Sequence, residues 1–138
     1  MWWIYALLSA FFASLTAIFA KQGVEGMNSN LATAIRTVII MIMLTAIVLA
    51  RGEGKGIANL SKQNLFFLSV SAIATGLSWL FYFKAIQLGN VSQVAPIDKL
   101  SVALTIVLSV VFLGEQLTVK TILGASMIIA GTLVIIWK

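Results

Sequence analysis

Val94-Ala95-Pro96-Ile97-Asp98-Lys99-Leu100-Ser101 opens an apolar run that continues to Leu113. It sets a proline, an acid and a base where hydrocarbon is expected, and charges in such a run are costly enough to mark a functional site by default. The run itself decides the fold class. About 20 mainly apolar residues cross a hydrocarbon core of about 30 Å. Five segments meet or approach that length: Trp2–Ala20, Leu31–Ala50, Leu65–Phe83, Val94–Leu113 and Thr121–Trp137. The expectation is an all-α integral membrane protein, residues 1–138 forming a single five-helix transmembrane domain. The breaks between segments are short and polar, and none could hold a soluble domain.

Composition agrees. Of 138 residues, 61% are hydrophobic and 9% charged, a balance a soluble domain could not hide from water. Neither cysteine nor histidine occurs, which removes disulfides, thiolate metal sites and the commonest general base and metal ligand at neutral pH. With four carboxylates in all, neither a catalytic constellation nor a metal or cofactor site is expected. The net charge of +5 suits basic loop flanks of a membrane protein. No clustered basic surface calls for a nucleic-acid partner.

The first segment lacks a basic region before Trp2 and a clean small-residue cleavage motif, so it reads as a retained helix rather than a signal peptide, with Trp2, Trp3 and Tyr5 at the interface. Asn28-Ser29-Asn30 supplies side-chain acceptors for the next helix. Arg51-Gly52-Glu53-Gly54-Lys55-Gly56 lacks the Gly-Lys-Ser/Thr ending of a phosphate loop and reads as a flexible solvated loop. Ser71, Thr75, Ser78 and Tyr82 share one helical face, and so do Asp98, Ser101, Thr105 and Ser109. Such stripes mark either a wetted pathway or hydroxyl packing between membrane helices. The last span has Gly124 and Gly131 on nearly one face, with Ser126 and Ala130 as a small-residue pair. That pattern suits close helix packing or a dimer contact.

Charge counting leaves the orientation open. Arg51, Lys55, Lys62 and Lys120 flank one membrane face; Lys21, Lys84, Lys138, Arg36 and Lys99 belong to the other. So even a balance permits insertion both ways. From the expected helix starts, Arg36 and Asp98 lie about 7–9 Å deep, a match that permits a salt bridge. In a continuous helix Asp98 and Lys99 point about 100° apart, and Lys99 is then expected to snorkel to the headgroups. Two readings of Pro96 stay open. A helix starting near Val94 puts it harmlessly in the first turn, with Asp98 favoured by the helix dipole. One starting near Ser92 has its hydrogen bonding broken by Pro96.

Pro96, the run Phe112-Leu113-Gly114-Glu115-Gln116-Leu117-Thr118, the Gly124–Gly131 segment and the Leu133-Val134-Ile135-Ile136 close together resemble the EamA domain of the drug/metabolite transporter superfamily. The stretches Asn28–Arg36 and Ala74–Tyr82 look like its short, single-domain members. The resemblance implies one half of a ten-helix inverted-repeat transporter, and hence a homodimer, which the charge balance allows to be antiparallel. The glycine spacing is similar to that of the dimerising last helix of small multidrug resistance transporters. Their first helix carries an embedded glutamate for proton–drug exchange, and this first span has none. Arg36, Lys99, Lys84 and Lys21 would suit an anionic or zwitterionic solute better than a cation.

The reading is therefore a multi-pass cytoplasmic-membrane transporter of a small polar metabolite, working by alternating access as a homodimer among membrane lipids. Arg36 and Asp98 would form a gating pair, with Lys99 beside them. Ser78, Tyr82, Ser101 and Thr105 would supply neutral hydrogen bonds, and Trp79 an apolar wall. Gly124 and Gly131 would pack the dimer. The alternative is an auxiliary, non-transporting subunit, for example of a lipid-carrier flippase.

Overall fold

The computed structural model describes residues 1–137, Ala58 through its backbone alone; Lys138, one of the bases in the charge balance, lies outside the described residues. The chain is all-helical: α1 (Trp2–Gly23), α2 (Ser29–Ala50), a 3-10 helix (Glu53–Asn59), α3 (Lys62–Leu88), α4 (Val91–Asp98), α5 (Leu100–Leu113) and α6 (Val119–Ile136). Five stretches are long and apolar enough to cross a membrane, α4 and α5 together forming the fourth. Large apolar side chains such as Phe66, Phe81 and Val111 stand exposed along them, as lipid-facing helices require.

Most helices run longer than the apolar count alone predicts, because a helix continues until its end groups are capped rather than until hydropathy falls. Asn28 Oδ1 accepts the Asn30 and Leu31 N–H groups at 2.9 and 3.3 Å. Ser61 Oγ accepts from Asn64 at 3.0 Å, and Thr118 Oγ1 from Thr121 at 3.1 Å. Gly114 ends α5 at φ 68°, a left-handed position that only glycine adopts without strain.

Two compact units result, Met1–Leu88 and the chain from Gly89 onward. In the first, α3 packs against both α1 and α2. Ala17 and Ala20 of α1, and Ser29, Ala32 and Thr33 of α2, are small and buried, so backbones can approach. Val24, Phe83 and Ile86 fill the space between. Polar clamps close the same end. Lys21 Nζ donates to the Ile86 carbonyl at 2.7 Å, and Gln87 Nε2 to the Met27 carbonyl at 2.8 Å. The Ile86 carbonyl lies in the last turn of α3, where intrahelical donors run out and the helix dipole favours a cation.

The segment read as a flexible loop is ordered differently. Gly52 turns at φ 67°, and the 3-10 helix that follows packs against α2. Arg51 and Glu53 pair at 2.7 Å, but both are well exposed, so the pair contributes about 0–1 kcal/mol.

In the second unit, α6 packs against α4 and α5. The fourth span is not one helix. It starts at Val91, where the Asn90 carbonyl accepts the first helical N–H groups from Gln93 and Val94, so Pro96 lies inside α4 and removes the N–H that would bond the Ser92 carbonyl. The chain breaks step at Lys99. Its N–H reaches the Pro96 carbonyl at 3.1 Å and the Ala95 carbonyl at 3.3 Å, and Val102 N–H returns to the Lys99 carbonyl at 3.0 Å. Two of the three, to Pro96 and to Lys99, are i to i−3 bonds, and they tighten the junction towards a 3-10 turn.

Candidate functional site

The first unit holds a cleft of about 540 Å³ between α1 and α2. The spacing of its lining residues explains it. Phe12, Leu15, Thr16, Phe19, Ala20 and Gly23 repeat every three or four residues along one face of α1. Ala32, Ile35, Arg36, Ile39 and Ile40 do the same along α2. Met27 of the connecting turn and Phe83 of α3 complete the lining. Because α3 packs on both neighbours, it holds α1 and α2 apart on the other side.

Arg36 is the sole ionisable side chain lining this cleft among the described residues. Its guanidinium carbon sits 4.3 Å from the centre of the Trp79 ring and 5.3 Å from that of Phe83. Both distances fall within the range of cation–π attraction, and for the half-buried Arg36 each is worth about 0.5–1 kcal/mol. Tyr82, one turn along α3 from Trp79, is near enough to interact electrostatically. Three of the expected residues, Arg36, Trp79 and Tyr82, thus gather at one place. Trp79 is a ring partner for the cation rather than a bare wall.

Asp98 and Lys99 correct the expectation of side chains pointing apart. Lys99 Nζ lies 3.3 Å from Asp98 Oδ2. The 100° separation describes the Cβ positions, and the long lysine stem is flexible enough to curl back across it. Asp98 is seven residues past the start of α4, or about 10 Å at 1.5 Å per residue. Lys99 thus has an acid to pair with as well as headgroups to reach for. Arg36 has its ring partners in the first unit, and Asp98 its ion-pair partner in Lys99.

The hydroxyl stripes divide. Thr75 Oγ1 donates to the Ser71 carbonyl at 2.9 Å and Ser109 Oγ to the Ile106 carbonyl at 3.0 Å, so each proton is taken up by its own helix. Ser78, Ser101 and Thr105 stand exposed on the chain. Gly124 and Gly131 are exposed too, and a Cβ added at either would meet nothing within 4 Å. Neither glycine serves packing inside the chain.

Sequence reading passed over Thr132, the buried polar side chain of α6. Its hydroxyl donates to its own Ile128 carbonyl at 2.8 Å and to the Pro96 carbonyl at 3.3 Å. One proton is shared between the two. It also passed over Phe83 and the cleft wall, which carry no signal in a uniformly apolar sequence. The Lys21 clamp did have one, a base at a helix end.

Residues 1–137 match the EamA-like transporter family over almost the whole chain. The chain belongs to that family. As an EamA-like transporter it is similar to an uncharacterized transporter in the cobO 3' region of Sinorhizobium sp., 47% identical over 134 residues, which are 97% of this chain and 95% of that one. An uncharacterized protein of Methanocaldococcus jannaschii is 30% identical over 132 residues, 96% of this chain and 93% of its own. The uncharacterized transporter YxxF of Bacillus subtilis is 29% identical over 129 residues, 93% of this chain but 40% of that longer one. No solved structure matches. Family and spans together make this EamA-like chain a multi-pass membrane protein of a transporter family.

Proposed function

We propose that this EamA-like protein is a secondary transporter that moves a small anionic or zwitterionic metabolite across the cytoplasmic membrane by alternating access, as a homodimer. The observation that carries the reading is Arg36, a cation lining an apolar cleft and held on two aromatic rings. An ionisable group so placed in a membrane helix serves a solute path more readily than it serves packing. In the second unit, the broken helix supplies Asp98 and Lys99, with Ser101 and Thr105 beyond them as neutral hydrogen-bonding groups. Discontinuous helices are a recurrent source of polar groups at membrane depth in transporters.

Two observations support the homodimer as one half each of a ten-helix assembly. Gly124 and Gly131 face open space on α6, free to take a second copy. The match to YxxF covers 40% of that protein, leaving room in it for a second unit of like length. The near-even charge balance favours an antiparallel pair.

Flux into proteoliposomes is the test. Purified protein alone should move solute, and Arg36→Gln should reduce the rate. No flux from the pure protein, together with co-purification of a second kind of chain, would instead make it an auxiliary subunit. Reporters fused to the C-terminus should signal from both sides of the membrane; a signal from one side only rejects the antiparallel arrangement.

A further inference from the structure

The cation in the α1–α2 cleft has no anion of its own. Among the described residues neither ion pair includes Arg36, and no carboxylate lines the cleft. Aromatic rings answer its charge, but they cannot accept the five N–H donors of a guanidinium. The other polar side chain in the lining, Thr16, donates its proton to the Phe12 carbonyl at 2.9 Å. Apart from the Met27 thioether and backbone, everything else there is hydrocarbon or aromatic.

That inventory discriminates between solutes. A cation would meet like charge. A zwitterion could set its acid group on Arg36, but its ammonium would meet no acidic partner. A dianion would have one charge answered and leave the other against hydrocarbon, where unpaired charge is costly. A sugar would find too few hydrogen-bonding side chains. The volume of about 540 Å³ falls within the range of about 300–1,000 Å³ usual for small-molecule sites.

We propose that the cleft binds an amphipathic monoanion, its one acid group on Arg36 and its apolar body against Phe12, Phe19, Ile35 and Ile39. This rests on the transporter reading and narrows it, excluding the zwitterions that reading allows. Arg36 presents forked donors that match a carboxylate in plane, and the rings of Trp79 and Phe83 hold the fork in place.

The test is equilibrium binding of radiolabelled 3-phenylpropanoate to the purified protein in neutral detergent. Competition is measured with 3-phenylpropanamide, 2-phenylethylamine, phenylalanine and succinate. The labelled acid should bind, and each competitor should be at least tenfold weaker than the unlabelled acid. Arg36→Gln should weaken binding at least tenfold. Ile39→Glu, which sets an acid one turn from Arg36, should do the same by pairing with it. No binding at millimolar probe, an amine or succinate that competes equally, or unchanged binding in Arg36→Gln overturns the proposal. The competitor series needs no variant, so a misfolded mutant does not decide it. Nanodiscs of phosphatidylcholine and of phosphatidylglycerol separate a free amphiphile from a lipid. Equal binding in both supports the proposal; loss in phosphatidylglycerol assigns the cleft to lipid and overturns it. Flux of some other solute with no probe binding would remove the monoanion class and leave the transporter reading. Probe binding with no flux of any solute would do the reverse.

Discussion

The two units hold their polar groups in opposite ways. In the first, α1, α2 and α3 are unbroken, and polarity comes from side chains: Arg36 on its rings, Lys21 and Gln87 clamping the end of α3. In the second, polarity comes from the backbone. Pro96 and the tightened turn at Lys99 disturb the helix, and Thr132 donates to one of the carbonyls there. A side chain on a regular helix is a fixed feature, whereas a broken helix is a joint. On the proposed transporter reading, the first unit would serve recognition and the second movement, since hinges are drawn from element ends that absorb backbone change.

Substitutions can break that comparison, beginning where the effect is largest. Ile86 is fully buried in the first unit. Ile86→Ala should cost ~2–5 kcal/mol by opening a cavity, measured as a loss of thermal stability in detergent. A negligible loss would mean that the first unit is not the rigid one. Arg36→Gln should lower flux at least tenfold, equivalent to ~1.4 kcal/mol, while Arg36→Lys should lower it less, keeping the charge but not the forked stacking. Equal rates for all three proteins would detach recognition from the first unit.

The joint is probed by smaller changes. Thr132→Val should cost ~1 kcal/mol, the net worth of a typical hydrogen bond. Pro96→Ala restores an N–H for the Ser92 carbonyl, so hydrogen exchange around residues 96–100 should slow and flux should fall as the joint stiffens. Faster exchange would show that the proline holds the break closed rather than open. Smallest is Gly124→Ala. Its Cβ enters open space, so helix propensity should stabilise the single chain by about 0.5–1 kcal/mol. The same methyl should weaken self-association, read by cross-linking in lipid. Unchanged cross-linking would move the dimer contact elsewhere.

Much of the molecule was legible from residues alone. The five spans follow from hydrophobic length, and the cap at Asn28 from a side chain that competes for backbone N–H groups. Arg36 and Asp98 stood out because charge is rare in such segments. Their partners did not. Asp98 and Lys99 occupy neighbouring helical positions about 100° apart, yet the flexible lysine stem reaches back to the carboxylate at 3.3 Å. Trp79 reads from the sequence as an apolar wall, since nothing local distinguishes a ring that faces lipid from one that carries a guanidinium. Of the two stripes, Thr75 and Ser109 bond their own helices, which periodicity cannot tell from a wetted path.

What the sequence by itself determined is the class: apolar runs of spanning length, few charges, no cysteine and no histidine, in a family pattern that covers the chain. These are local or summed properties, and hydrocarbon enforces them on each helix separately, because every backbone group must be satisfied within its own span. Tertiary structure alone decided the cleft and the shape of the joint. Within lipid, apolar residues on either face of a helix are equally content, so hydropathy cannot say which face meets a neighbour. Packing between small residues chose α3 as the helix shared by α1 and α2, and that choice left Arg36 lining a cleft with two rings to hold it and, among the described residues, no acid paired with it.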